Sequence, residues 1–349
     1  MSSGPLRLVQ GVVGPYAEPP EAAAYQSLLI EGYIASQVAR GYSELTIGNG
    51  TGTLERFLLL CERPVWEVRR EDVDRVVGAL AAAGLSTSTR RGYVSIFKGF
   101  FTFLVARKAS EIEAFFGMRL EDPIDEFNAA RHVGADSPNV APPPTPQRMD
   151  EFFEFLRARV ATSRKFAPAA RDYALYRTLY HAGLRSAEAV GLDIADAHFA
   201  RGPFGKLHVR HGKATKGSGP RPRWVPMLDS LDLVLTWFVN DVRPRFADGP
   251  ALFCDEGGRP MHPGSVRNRL AHLLDLEGLS REEHFSPHAL RHACATHNYE
   301  RGMDLVAIQQ MLGHWHIGTT MRYVSPSSTF IEDAYRRAVS DTLSEFEEG

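Results

Sequence analysis

SPHALRH, at residues 286–292, is the stretch that decides the fold of this chain. Ser286 and Pro287 are typical of a helix N-cap followed by the first helical residue, so the sequence predicts a helix from His288 to Tyr299. Residues three apart share one face of a helix, so His288 and Arg291 would present a proton carrier and a fixed cation together. Taken alone, the pair is no more than the composition would produce by chance.

A second helix is predicted downstream, over residues 305–312, and two further motifs follow it. LGHW at 312–315 begins where this helix ends, and TTMRY at 319–323 lies just beyond. Nine residues separate His314 from Tyr323. Each has a structural alternative, since His314 could cap the helix and Tyr323 could be a core or interface tyrosine.

Upstream, GLRSAE at residues 183–188 combines a helix end with a charged pair. Gly183 is predicted to end one helix and Arg185 to open the next, so that this arginine projects into a cleft. Glu188 lies one turn further on and is expected to orient it. The structural alternative is an ordinary Arg–Glu pair on the surface.

A basic hairpin is predicted between these motifs. Residues 207–211 alternate as in a strand, a turn rich in glycine, serine and proline follows, and residues 224–227 form the returning strand. Residues 201–228 contain seven lysines and arginines and no acid, a local charge that suits a polyanion or simply a solvated hairpin. The candidate ligand-binding cations here are Lys213, Lys216, Arg221 and Arg223.

The composition is that of a globular protein. Hydrophobic residues make up 44% of the 349 residues and charged residues 23%, which excludes a disordered or fibrous chain. No apolar run approaches the roughly 20 residues of a membrane helix, and no leader is recognised, so a cytoplasmic protein is expected. The cysteines follow no metal-binding spacing and are predicted to be small buried residues: Cys61, Cys254 and Cys294.

The pattern along the chain predicts two domains and a linker. Three consecutive prolines mark the linker, and Thr145-Pro146 resembles a capped helix start. In the N-terminal part, residues 46–60 should be helical, with first turns frayed by Gly48, Gly50 and Gly52. The predicted divisions are an N-terminal extension at 1–24, a helical domain at 25–132, the linker at 133–144, a second domain at 145–328 and a C-terminal tail helix at 329–349.

In their order and spacing, these motifs closely resemble the tyrosine recombinases, the family of phage integrases and chromosome-dimer resolvases. The resemblance extends from about Thr145 to Tyr323. It is looser in LSTSTRRGYVSIFKGFFTFL at residues 85–104. It implies a mainly α protein with a small β-sheet, in which a helical core-binding domain precedes a mixed α+β catalytic domain.

The same resemblance implies a site-specific recombinase or integrase that cleaves and rejoins DNA through a 3′-phosphotyrosine intermediate. The implied reaction needs no metal or other cofactor. The partners would be double-stranded DNA and further copies of the chain, as a tetramer on paired sites. The implied catalytic residues are Arg185, Lys213, His288, Arg291, His314 and Tyr323. Glu188 would support them, and the implied DNA-binding residues are Arg90, Arg91, Lys98, Lys216, Arg221 and Arg223.

The residue types suit this chemistry. A pentacovalent phosphorane spreads negative charge over its non-bridging oxygens, which two arginines can meet with paired hydrogen bonds. A tyrosine hydroxyl needs a base, for which His288 is the candidate, while His314 would hydrogen-bond the phosphate or the tyrosine. Two alternatives stay open, a DNA-relaxing enzyme like the type IB topoisomerases and a DNA-binding protein without activity.

The hairpin yields a prediction about the general acid. Lys213 follows Gly212 just after the first strand, whereas Lys216 lies in a looser turn, so Lys213 should protonate the leaving 5′ oxygen. We expect Lys213→Ala to cleave an ordinary duplex slowly and to regain most of its rate when sulfur replaces the bridging 5′ oxygen, because a thiolate leaves without a proton. Arg185→Ala should not be rescued. Rescue of Lys216→Ala instead would transfer the role to that lysine.

Overall fold

The computed structural model describes residues 20–129, 142–210, 212 and 222–347. The described chain separates into two compact units that divide near residue 140. Lys213, Lys216 and Arg221 lie outside the described residues, as do most of the predicted linker and N-terminal extension.

In its described part, the first unit consists of helices packed around an aromatic core. The rings of Phe57 and Phe97 are 4.2 Å apart between centroids, and Trp66 stacks on Phe116 at the same distance. The fourth helix of this unit buries Val94, Phe97, Phe100, Phe101 and Leu104. The helices are α1 (Ala22–Ala39), α2 (Glu44–Cys61), α3 (Arg70–Ala82), α4 (Thr87–Arg107) and α5 (Ala109–Phe116).

Helix α2 corrects one expectation. The predicted fraying at Gly48, Gly50 and Gly52 is wrong, because the helix is continuous from Glu44. The Ser43 hydroxyl accepts a hydrogen bond from the Thr46 amide, which caps the first turn. Burial of the apolar face of α2 in the unit's core outweighs the low helix propensity of the glycines.

The second unit surrounds a small sheet with helices. Strands β1 (Ala197–His198), β2 (Lys206–Val209) and β3 (Arg223–Pro226) pair antiparallel in that order, with Val209 opposite Arg223. The mainly α fold with a small β-sheet is therefore confirmed. Its helices are α6 (Pro146–Thr162), α7 (Phe166–His181), α8 (Ser186–Val190), α9 (Leu231–Trp237), α10 (Pro263–Glu277), α11 (Pro287–Glu300), α12 (Leu305–Leu312), α13 (Ile317–Met321) and α14 (Ser328–Glu347).

Helix ends in this unit follow the local chemistry of the sequence. The Thr145 hydroxyl accepts from the Arg148 amide and the Ser286 hydroxyl from the Ala289 amide, so α6 and α11 begin as predicted. Gly183 has φ +59° and follows α7. A β-carbon there would lie 2.6 Å from the Leu312 side chain, so both backbone and space require glycine.

The remaining expectations concern the cysteines and membrane-spanning helices. The three cysteines are buried, as predicted, and no two of them form a disulfide. Among the residues that the structure describes, no helix combines the length and the apolar character needed to span a membrane.

Candidate active site

The second unit contains a cleft of about 790 Å³ in which the motifs singled out in the sequence meet. Helix α8, strand β3, the start of α11 and the segment after α12 form its walls. Five of the six predicted catalytic residues line it, and the sixth, Lys213, lies outside the described residues. The five are Arg185, His288, Arg291, His314 and Tyr323.

Tyr323 lies two residues after the end of α13, and its ring is surrounded by histidines and an arginine. Its centroid lies 5.1 Å from that of His288 and 4.8 Å from that of His314. The Arg291 guanidinium carbon is 5.7 Å from the same centroid. The phenol ring therefore has two imidazole rings and a cation beside it within its own chain.

Arg291 is fully buried, and most of its hydrogen-bonding capacity is used within the protein. Its Nη1 donates to the Gly183 carbonyl at 2.6 Å, and its Nη2 donates to the Leu312 carbonyl at 2.7 Å and to His314 Nε2 at 2.8 Å. Its Nε has no acceptor among the described residues. Burial, followed by repulsion from Arg185, lowers the pKa of this guanidinium to about 10, so it stays charged at neutral pH.

The contacts of His314 define its proton state. Nε2 accepts from Arg291, so the ring proton is on Nδ1, which donates to the Thr320 hydroxyl at 2.9 Å. Burial, followed by the charges of Arg291, Arg185 and Arg223, lowers the pKa of His314 to about 3. The imidazole is neutral, and both of its nitrogens already have partners.

Glu188 is the acid at the centre of the site. Its carboxylate accepts from the Arg185 side chain at 2.7 Å and from the Arg185 amide at 3.0 Å, as predicted for an orienting residue. It also receives two bonds from Arg223 and lies 3.6 Å from Arg291 Nη1. Burial raises the pKa of Glu188, but the bonds and charge of Arg223 and the charge of Arg291 outweigh it and lower the pKa to about 2.

His288 and His292 occupy the start of α11, on the Tyr323 side of the cleft. Burial, followed by the positive charges of Arg291 and Arg185, lowers the pKa of His288. Burial, followed by His288, lowers that of His292, whose ring is 5.8 Å from Tyr323 between centroids. Both imidazoles are neutral near pH 7, the state in which a histidine can accept a proton.

The predicted DNA-binding residues fall into three groups. Arg90, Arg91 and Lys98 lie on α4 in the first unit, where Arg90 and Arg91 are half-buried and Lys98 is exposed. Lys216 and Arg221 lie outside the described residues. Arg223 is not a free surface cation, because its guanidinium bonds to Glu188 and to the Met311 carbonyl.

Sequence reasoning missed the partners that orient the predicted residues. Thr320 lies in the TTMRY motif, but nothing in its spacing from His314 indicated a bond between the two side chains. The carbonyls of Gly183 and Leu312 carry no side-chain signal at all. Within the described ranges, no group of three or more histidine, cysteine or acidic side chains is arranged to hold a metal ion.

Two family models match this chain. The model described as the phage integrase family matches residues 150–329, and the one described as the phage integrase N-terminal SAM-like domain matches residues 30–108. The tyrosine recombinase XerD of Staphylococcus haemolyticus is 27% identical over 319 residues, covering 88% of this chain and 97% of XerD. The tyrosine recombinase XerC of Vibrio vulnificus is 31% identical over 237 residues, covering 67% and 69%.

Solved structures have a similar fold. The site-specific recombinase XerH bound to palindromic difH substrate superimposes with a TM-score of 0.64 over 92% of this chain and 84% of that chain, at 19% identity. The integrase of transposon Tn1549, in complex with circular intermediate DNA, superimposes with a TM-score of 0.64 over 89% and 99%, also at 19% identity. At this identity, the likeness shows the fold alone.

The neutral His314 predicts a specific pH dependence of stability. Its folded pKa is below that of an unfolded histidine, so unfolding takes up a proton between about pH 6.5 and 3, and stability falls as the pH falls through this window. In His314→Gln this contribution is absent. From pH 6.5 to 4.5 we expect the variant's free energy of unfolding to decrease by about 2 kcal/mol less than that of the unmodified protein.

Urea unfolding of the whole protein at both pH values, followed by tryptophan fluorescence, measures this difference. His272→Gln, at an exposed position, is the matched control and should follow the unmodified protein. Equal pH dependence in His314→Gln and the unmodified protein would contradict a neutral His314.

Proposed function

This chain belongs to the phage integrase family and is a site-specific tyrosine recombinase, and on that premise we propose that Tyr323 is the nucleophile that attacks the scissile phosphate of DNA. The observation that carries the proposal is the meeting of Tyr323 with His288, Arg291 and His314 in one cleft. The Tyr323 oxygen bonds to phosphorus, and its proton passes to neutral His288. The bond from phosphorus to the 5′ oxygen breaks, leaving a 3′-phosphotyrosine and a 5′ hydroxyl.

Arg185 and Arg291 stabilise the charge that develops on the phosphate. Arg185 keeps a quarter of its side chain exposed and has guanidinium N–H groups beyond the one bound to Glu188. Arg291 contributes through Nε, whose N–H has no acceptor in the described chain. An unsatisfied buried donor costs about 1–3 kcal/mol, which a phosphate oxygen would recover on binding.

The remaining proton goes to the leaving 5′ oxygen, and Lys213 is the proposed donor. Attack by a 5′ hydroxyl of another strand on the phosphotyrosine reverses these steps and rejoins the DNA. The phosphotyrosine retains the energy of the broken bond, so the steps written here balance without ATP. The similarity to XerC and XerD favours this recombinase over the type IB topoisomerase alternative.

Double-stranded DNA is the proposed partner of both domains, which we assign to residues 25–132 and 145–328. In the first, Arg90, Arg91 and Lys98 on α4 are candidates for phosphate contacts, which supply affinity rather than sequence recognition. We place the reaction in the cytoplasm, because DNA lies in that compartment in bacteria such as those that provide the relatives named above.

The tail is the proposed contact between protomers in a tetramer. Phe330 packs on Tyr299 of its own chain, with ring centroids 5.6 Å apart, which anchors the start of α14. Ile331, Tyr335 and Val339 follow one another at helical spacing and are 59%, 71% and 38% exposed. Such an apolar stripe is typical of a surface that another protein covers.

The nucleophile is tested with Tyr323→Phe. Duplexes of randomised sequence are incubated with the protein, and those recovered and sequenced provide the selected duplex. We expect Tyr323→Phe to bind this duplex nearly as well as the unmodified protein and to form no covalent adduct, because the attacking oxygen is missing. Tyr299→Phe, which also loses one hydroxyl, is the matched control and should form the adduct.

The adduct should form at the 3′ phosphate and should persist in EDTA. An adduct in Tyr323→Phe, or one mapped to another tyrosine, would exclude Tyr323. Absence of any adduct with the unmodified protein would favour a DNA-binding protein without activity.

The tail is tested by removing residues 329–349. We expect affinity for one selected duplex to stay within about twofold, and recombination between two copies of the site to fall at least about tenfold, because the exposed stripe is lost. Tyr335→Ser should act in the same direction, whereas Glu332→Ser, on the polar side of α14, should not. Unchanged assembly and recombination on paired sites would mean that the tail packs within its own subunit.

A further inference from the structure

Arg223 is the first residue of β3 and points toward the cleft rather than away from the protein. Its side chain is 11% exposed. The next residue, Trp224, lies on the other face of the sheet, where its indole stacks on His208 and beneath the Arg201 guanidinium. The two faces of β3 therefore have different partners, and only the face that carries Arg223 is directed toward the catalytic groups.

The Arg223 guanidinium joins two segments that are far apart in sequence. Its Nη1 and Nη2 donate to the two oxygens of Glu188 at 3.2 and 2.8 Å. Its Nε donates to the Met311 carbonyl, in the last turn of α12, at 2.9 Å. A carboxylate held through both oxygens cannot rotate freely, and the same guanidinium fixes the end of the helix that precedes His314.

Gly313 leaves room for this arrangement. Its φ is +70°, and a β-carbon there would lie 3.0 Å from three atoms of Arg223. The turn that leads to His314 is therefore packed directly against the guanidinium. A larger residue at position 313 would displace either this turn or Arg223.

We propose that Arg223 is a positioning residue for strand cleavage. It fixes the position of Glu188, and through Glu188 that of Arg185, relative to the turn that carries His314. This inference rests on the proposed function of the cleft. It differs from the DNA contact predicted from sequence, because three of the five N–H groups of Arg223 are already bound to Glu188 and Met311. Arg223 thus acts through other residues, not on the phosphate.

The first test separates positioning from DNA contact. On the selected duplex, we expect Arg223→Ala to reduce the single-turnover rate of adduct formation about tenfold to a hundredfold, the range typical of residues that orient reactive groups. The slope of log affinity against log salt should not change, whereas loss of a phosphate contact would reduce it by about 0.9. Arg210→Ala is the matched control, since Arg210 follows β2 and pairs with Asp193 and Asp196. It should cleave at the unmodified rate.

A second variant keeps the test valid if Arg223→Ala does not fold. Arg223→Lys retains the charge but cannot bridge Glu188 and Met311 with a planar fork, so it too should cleave at least about tenfold more slowly with an unchanged salt slope. An unmodified cleavage rate in either variant, or a salt slope reduced by about one, would overturn the proposal.

A double-mutant cycle tests the route of action. If Arg223 acts through Glu188, the rate of Arg223→Ala combined with Glu188→Gln should lie within about twofold of the slower single variant. Independent, multiplying losses would overturn the proposal. Tyr323→Phe is run in parallel: an adduct in that variant would refute the proposed function, whereas normal cleavage by Arg223→Ala beside an inactive Tyr323→Phe would refute only the positioning role.

Discussion

One buried carboxylate holds the cations of this site together. Glu188 is 3% exposed and contacts the guanidinium groups of Arg185 and Arg223, with Arg291 3.6 Å away. Three cations this close repel one another in a medium of low polarity, and the shared anion offsets that repulsion. Removing one partner of such a buried pair typically costs about 3–5 kcal/mol, since it leaves a charge without compensation. The low pKa of Glu188 keeps the anion in place throughout the physiological pH range.

Arg291 connects this electrostatic centre to the backbone of the second unit. Its bonds to Gly183 and Leu312 tie the turn after α7 and the last residue of α12 to α11. A long polar side chain is tolerated in such a place because four of its five N–H groups face acceptors. The positions of Arg185 and His314 thus depend on one interior side chain as well as on helix packing.

Much of this could be predicted from the sequence, because its signals are local. Thr145 and Ser286 cap their helices through contacts within four residues, and the order of the motifs identified five residues of the cleft. The rest depends on tertiary contacts. The glycine-rich start of α2 is helical because its apolar face is buried, and a basic stretch cannot reveal that Arg223 has an acid partner 35 residues away. The bond between His314 and Thr320 likewise exists only once α13 has folded back.

Tyr323 lies beside the other predicted catalytic residues of its own chain, and if they act as proposed, this bears on the genetics of the protein. A protomer that lacked Arg291 would have a nucleophile without its charge partner, and one that lacked Tyr323 would have the converse defect. In the assembly proposed above, neither protomer would then hold the complete set, because all five described residues of the set line one cleft of a single polypeptide. Under the proposed mechanism, two such alleles in one cell would therefore not complement each other.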